Sequence, residues 1–392
     1  MSLSNLDFSN TEIAFKTKTN GELRNSYLLF KAIGYNWLVH AGPKLIDFCF
    51  NIKLPIKGII KATVFKQFCG GENIDECNKT IDLMGEYGVG TILDYSVEGE
   101  EKDEIFDATA NEIIKTILKA TAHSNVPFSV FKVTGVARLD LLAKVNAKQS
   151  LSKDEQSEYD RIKARINRIC QTAYNQNVRI FIDAELSWMQ DAIDNLCDDL
   201  MLLYNKEKPI VYNTLQFYRH DRVEYLKKAI ARAKDQHYFY GIKLVRGAYL
   251  ERERLRAKEM GYTDPIQPTK AATDAAYNEG LELCIENIER VSICNGTHNE
   301  ESCRVLAQIM EQKGLKNDDE RVYFSQLFGM SDNLSYNLAN AGYKVAKYLP
   351  YGPVKAVLPY LFRRAQENTS VQGQAGRELS LIAKELRRRN LQ

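Results

Sequence analysis

The chain has 392 residues, 44% of them hydrophobic and 27% charged, which excludes a disordered, collagen-like or disulfide-stapled protein. Fifty-three basic against fifty-one acidic side chains leave a net charge of +2, so bulk charge gives no reason to expect nucleic acid as a partner. None of the eight cysteines has C-x-x-C spacing and none of the five histidines forms an H-x-x-x-H pair, so neither a zinc ribbon, a thioredoxin-type pair nor a helical zinc site is expected, and scattered thiols suit a reducing compartment.

Residues 1–20 carry Asp7 and Glu12 and lack the apolar run of a signal peptide. Residues 23–60 alternate apolar side chains with Lys31, Lys44, Asp47, Lys53 and Lys57. They read as amphipathic helices capping a core, with a membrane-facing surface as the alternative. The uncharged run at 32–43 is too short to cross a bilayer, which needs about 20 residues.

From Gly90 onward, β-branched runs alternate with longer helix-period stretches. In order they are Gly90-Thr-Ile-Leu-Asp-Tyr95, Phe128-Ser-Val-Phe-Lys-Val133, Val178-Arg-Ile-Phe-Ile-Asp183, Ile210-Val-Tyr-Asn-Thr-Leu-Gln216, Gly241-Ile-Lys-Leu-Val-Arg246, Val291-Ser-Ile-Cys-Asn-Gly-Thr297, Arg321-Val-Tyr-Phe324 and Tyr343-Lys-Val-Ala-Lys-Tyr348. Eight such runs predict an α/β fold, a (β/α)8 TIM-type barrel with additional N-terminal helices. An open doubly wound sheet is the alternative, but no G-x-G-x-x-G follows the first run. The expected organisation is a helical region over 1–85 and a barrel over 86–392. An insertion at about 144–177 reads as a loop over 144–153 and a surface helix over 154–174, where Tyr159, Ile162, Ile166 and Ile169 stand at helical spacing.

In a barrel the C-terminal strand ends line the active site. The predicted strands end in Asp183, Gln216, Arg246, Thr297 with His298, and Tyr348, and Lys132 lies in an otherwise apolar run. A buried lysine is costly without a partner, so it belongs either to the site or to a wet edge. A second concentration is Tyr360-Leu-Phe-Arg-Arg-Ala-Gln-Glu367, preceded by Pro359, which suits a helix start. On a helix, Tyr360, Arg363 and Glu367 share a face. Arg363 and Arg364 lie about 100° apart, near enough for two guanidiniums to meet one carboxylate. The plain alternative is a solvated ion pair on a surface helix.

This segment resembles the signature of the proline dehydrogenases, flavin enzymes that oxidise L-proline to Δ1-pyrroline-5-carboxylate. Leu93-Asp-Tyr-Ser96, Ile182-Asp-Ala-Glu185, Lys243-Leu-Val-Arg-Gly-Ala-Tyr249, Thr297-His-Asn299, Gln326-Leu-Phe-Gly-Met330 and Tyr348-Leu-Pro-Tyr-Gly-Pro353 occur in the family's order. The similarity covers about residues 60–390 and is greatest to the monofunctional, mitochondrial type. It implies a barrel with FAD at the strand C-terminal ends and no metal. It implies that Arg363 and Arg364 clamp the substrate carboxylate, while Lys132, Leu327, Tyr348, Tyr360 and Glu367 complete the pocket. Asp183 and Lys243 correspond to residues at the reacting centre. Ala184, Gln216, Lys243, Val245, Arg246, Gly247, Ala248, Tyr249, Thr297 and His298 correspond to cofactor-binding positions.

Two departures stand out. Bacterial members often carry arginine where this chain has Lys243, which keeps the charge but loses the planar fork. Some relatives have an aromatic residue where this chain has Leu250. The resemblance further implies L-proline as substrate, a membrane quinone as electron acceptor, and a cytoplasmic protein in peripheral contact with the inner membrane face. Hydroxyproline dehydrogenase shares most of these motifs and is the competing expectation.

Overall fold

The computed structural model of the chain describes residues 6–34, 42, 46, 52, 54–97, 101–370 and 374–391. Eight parallel strands close into a barrel in sequence order: β1 (Val89–Tyr95), β2 (Phe128–Lys132), β3 (Arg179–Asp183), β4 (Val211–Gln216), β5 (Tyr240–Val245), β6 (Val291–Gly296), β7 (Val322–Leu327) and β8 (Val345–Tyr351). Ahead of β1 come a short turn of helix at Thr11–Ala14, α1 (Asn20–Ile33), helical turns between Lys57 and Phe68, and α2 (Ile74–Gly85). The barrel helices are α3 (Asp103–Ala122), α4 (Leu139–Asn146), α5 (Lys153–Asn175), α6 (Ser187–Tyr204), α7 (Arg222–Asp235), α8 (Leu250–Met260), α9 (Lys270–Glu286), α10 (Glu300–Gln312) and α11 (Asp332–Asn340), followed by α12 (Leu358–Ser370) and α13 (Gln374–Arg388). The chain falls into two compact units, Met1–Glu98 with Gln326–Gln392, and Gly99–Ser325. Among the described residues no helix is long and apolar enough to cross a membrane.

The two-residue strand period separates interior from exterior. Phe128, Phe181, Tyr212 and Tyr323 pack on one another near the N-terminal strand ends; the Phe128 and Phe181 rings stack at 4.4 Å. The Arg179 guanidinium lies over Phe128 and Tyr323, 5.4 and 5.3 Å from their centroids. Two or four residues further along the same faces stand Lys132, Asp183, Thr214 and Gln216. The aromatic layer therefore floors the polar rim.

The inserted helix α5 starts at a capping box, in which the Ser152 hydroxyl accepts the Glu155 N–H and the Glu155 carboxylate accepts the Ser152 N–H. Ile162, Ile166 and Ile169 are buried, as their helical spacing predicts. The segment 144–153, expected as loop, begins with the last turn of α4, which runs to Asn146. Strands β7 and β8 run three residues beyond the sequence expectation. Tyr348 is thus the fourth residue of a seven-residue strand and not its end. Pro350, inside this strand, has no N–H to donate. It is tolerated because β7 has already ended at Leu327, while the Pro350 carbonyl accepts the Gly70 N–H at 2.9 Å. Lys132 closes β2 and does not lie within it.

Asn205, wholly buried after α6, braces the opposite end of the barrel. Its Nδ2 donates to the Val211 and Phe239 carbonyls at 2.8 and 2.9 Å, and its Oδ1 accepts the Ile210 and Val211 N–H groups, both at 2.9 Å. Asn205→Leu orphans all four, at about 1–3 kcal/mol for each buried group left unsatisfied. A clear fall in the calorimetric unfolding midpoint is expected, and an unchanged midpoint would show that these bonds do not brace β4 and β5.

Candidate active site

In the unit Gly99–Ser325, one carboxylate organises the strand ends. Asp183 Oδ1 accepts from Lys243 Nζ at 2.5 Å, and its Oδ2 lies 3.8 Å from Lys132 Nζ. The Lys243 side chain is only 5% exposed against 34% for Lys132, and its ammonium lies 5.2 Å from the Phe181 ring centroid. Lys132 and Asp183 are register partners across β2 and β3, and Thr214 pairs with Lys243 across β4 and β5. Parallel pairing at one height brings the three charged residues together.

Gln216 donates to the Glu185 carbonyl at 2.5 Å. Glu185, quoted within a motif but given no role from sequence, proves to be a buried bracket. Its carboxylate accepts the Thr134 N–H at 2.8 Å and the Thr134 hydroxyl at 2.6 Å, and its own N–H donates to Gln190 at 2.7 Å. Burial raises its pKa against the lowering effect of the Thr134 bonds. Gln190 continues to Asp194, which also takes Asn213 and the Arg222 guanidinium. Separations from 4 to 51 residues leave no local pattern by which sequence could find this network.

Arg246, one residue beyond β5, uses its whole fork. Nε donates to Asp274 at 2.7 Å, one terminal nitrogen to the Thr297 hydroxyl at 2.6 Å and the other to Ser302 at 2.9 Å, with Tyr277 beneath at 4.4 Å. Burial works to raise the Asp274 pKa, but Lys270 and Arg246 hold it below the usual carboxylate range. Asp274, Ser302 and Tyr277 were not identified from sequence. Next comes Gly247 at φ +130°, where a Cβ would meet the Tyr218 ring at 2.6 Å. Only glycine fits so open a turn so close to an aromatic face. Ala184, Val245, Tyr249 and His298 are half-buried and Ala248 is exposed around these turns.

In the other unit, Leu327 ends β7 half-buried, and Tyr348 and Tyr360 are buried. The Arg364 guanidinium lies 5.3 Å from the Tyr360 ring centroid, so the i, i+4 partner of Tyr360 is Arg364. Arg364 is buried and Arg363 half-buried, which departs from a fully solvated surface helix. Residue 367 belongs to α12, but its side chain, and with it the expected role of Glu367, lies outside the described residues. Parts of the expected amphipathic stretch at 23–60 lie outside them as well.

A proline dehydrogenase family model matches residues 77–377. The chain is 31% identical over 430 residues to "Proline dehydrogenase 1, mitochondrial" of Dictyostelium discoideum, covering 98% of this chain and 75% of that protein. It is 30% identical over 421 residues to a hydroxyproline dehydrogenase of Xenopus laevis, covering 98% and 90%. Among solved structures, proline utilization A of Bdellovibrio bacteriovorus superposes with a TM-score of 0.73 at 18% identity, over 92% of this chain and 38% of that one; at that identity the likeness is one of fold. With a family match spanning all eight strands and the Arg363–Arg364 helix, the chain belongs to the proline dehydrogenase family.

Proposed function

We propose that this oxidoreductase oxidises L-proline to Δ1-pyrroline-5-carboxylate with FAD and passes the electrons to a membrane quinone. The observation that carries the reading is the adjacent pair Arg363 and Arg364, withdrawn from full solvation on α12, in a chain whose family match includes them. Two guanidinium forks suit one carboxylate, and a fixed carboxylate end aims proline C5. The rim of the Gly99–Ser325 unit fits the cofactor. Thr214 has a buried hydroxyl oxygen with no hydrogen-bond partner, opposite Lys243 and two residues from Gln216. The backbone at Gly247 is open beside Arg246. These groups suit a polar heterocycle edge and a phosphate chain.

When bound, the flavin supplies the sink for the hydride that leaves C5. The protein's own groups do the rest. Lys132 and Lys243 supply positive charge near the strand ends, Asp183 holds both in place, and Tyr348 shapes the pocket wall. Val245, Ala248, Tyr249 and His298 line the cofactor turns. Peripheral contact with the inner membrane face follows from a lipid-borne acceptor.

Purified protein should be yellow, and anaerobic L-proline should bleach it; a colourless protein, or a colour that proline leaves unchanged, overturns the reading. Arg363→Ala or Arg364→Ala should raise the proline KM tenfold or more with flavin still bound, since a charged hydrogen bond is worth about 1.5–3 kcal/mol; unchanged KM in both removes the clamp. A soluble quinone analogue should sustain turnover and NAD alone should not.

A second reading, hydroxyproline dehydrogenase, is supported by the similarity to the Xenopus laevis protein. The Tyr348 ring argues against it by filling the space a C4 hydroxyl needs. An unpaired buried hydroxyl costs about 1–3 kcal/mol, so kcat/KM should favour proline by about tenfold or more. Tyr348→Ser should narrow that gap, chiefly by lowering proline efficiency. Comparable wild-type rates on both substrates would favour the second reading.

A further inference from the structure

The turn that carries Leu327 is held by side chains from three distant parts of its own unit. Lys347 Nζ donates to the Leu327 and Met330 carbonyls at 3.3 and 2.7 Å. Gln67 Nε2 donates to the Gly329 carbonyl at 2.8 Å, and Gln67 Oε1 in turn accepts from the Ser26 hydroxyl at 2.8 Å. Glu378, on α13, accepts the Ser331 N–H at 2.7 Å. The Phe328 N–H donates to the Tyr348 carbonyl at 2.8 Å. A turn with this many fixed backbone groups has little freedom to shift. Gly329 takes φ +77°, which glycine adopts freely, but Ser331 is held at φ +50°. A non-glycine residue in that region needs support from its surroundings.

The support is ionic. Lys347 is 1% exposed and lies 2.9 Å from Asp332, which also meets Lys18 at 3.7 Å. Because Lys347 points toward Asp332 outside the barrel, its neighbour Tyr348 points inward. One strand thus holds the turn with one side chain and shapes the pocket with the next.

We propose that Lys347, Asp332 and Glu378 form a positioning cluster that sets Leu327 and Tyr348 against the substrate, with the Glu378 carboxylate on the C-terminal helix as its charge-sensitive member. The proposal rests on Leu327 and Tyr348 lining the proline pocket. None of the three cluster residues touches the reacting atoms. They act through the turn, as supporting residues do when they hold a pocket wall.

The charged groups that act on Glu378 are Asp332 on α11, Lys347 on β8 and Arg377 on its own helix, with Lys18 reaching the cluster through Asp332. Burial, and then Asp332, push the Glu378 carboxyl up to about 7, against the Ser331 N–H, Lys347 and Arg377. Burial also opposes ionisation of Asp332, but Lys347 and Lys18 hold its pKa below the ordinary value. Asp332 therefore stays charged while Glu378 changes state near neutrality. Above that point the ionised Glu378 holds the Ser331 N–H with a charge-assisted bond; below it the bond weakens. Proline affinity should fall with it.

The test uses the full-length flavin-loaded enzyme, wild type beside Glu378→Gln and Glu378→Ala, with proline kinetics between pH 6 and 8. Hydrogen exchange of the peptide containing 327–333 is followed by mass spectrometry, corrected for intrinsic rates. Wild-type KM should rise as pH falls through about 7, and the Gln variant should lose that component. Either substitution should raise KM at pH 8 by about threefold to tenfold, with kcat nearly unchanged, because the defect is one of placement. Exchange at 327–333 should accelerate in both. Should the Ala variant fail to fold, the Gln variant carries every readout. A wild-type enzyme that oxidises proline, beside a Gln variant with the same KM, pH profile and exchange, overturns the cluster's role alone. Absence of proline oxidation by the wild type overturns the substrate reading, and this inference with it.

Discussion

An ammonium group almost out of contact with water costs several kcal/mol unless an opposite charge meets it. Lys243 is such a group, its side chain 5% exposed, and Asp183 is what meets it. The same carboxylate serves Lys132, so one anion stands between two cations. Strands β2 and β3 pair with Lys132 opposite Asp183. A slip of one residue would turn each side chain to the other sheet face and strand the charges. The charge set thus demands one register, and that register brings Thr214 and Gln216 to the same rim.

The floor beneath this rim is aromatic. Phe128, Phe181, Tyr212 and Tyr323 fill the interior below the charges, and burial pushes the Tyr212 hydroxyl up to about 12. Apolar packing strengthens the electrostatics above it, because less water screens each pair. Arg179, capped between two rings and paired with Glu320 at 3.2 Å, closes the lower end. Aromatic packing is thus concentrated at the N-terminal strand ends and charged groups at the C-terminal ends, the division usual in this architecture.

The other unit solves a related problem around β8. Lys347 alternates with Tyr348 on β8, so burying one outward cation and placing one inward ring are consequences of a single strand register. The outward cation is neutralised at the start of α11, and α13 adds a second carboxylate over the same turn. Elements far apart in sequence thereby converge on five consecutive residues of backbone.

Much of this was legible in sequence. Eight apolar runs between amphipathic stretches suit a parallel sheet buried on both faces, and the missing G-x-G-x-x-G favoured the barrel over an open doubly wound sheet. Asp183, Gln216, Arg246 and Thr297 could be placed at strand ends because each stops an apolar run, and the family motifs supplied their company. Other features needed the tertiary structure. Tyr348 was read as a strand end; only the early departure of β7 at Leu327 shows how the strand continues through Pro350. Asp274 and Ser302 beside Arg246, Glu185 beside Gln216, and Glu378 over the Leu327 turn lie 28 to 56, 31 and 47 residues from the groups they hold. Local periodicity reports which face a residue occupies over a few turns of chain. It carries no information about which distant residue meets that face, and hydrogen-bonding partners are chosen by that meeting.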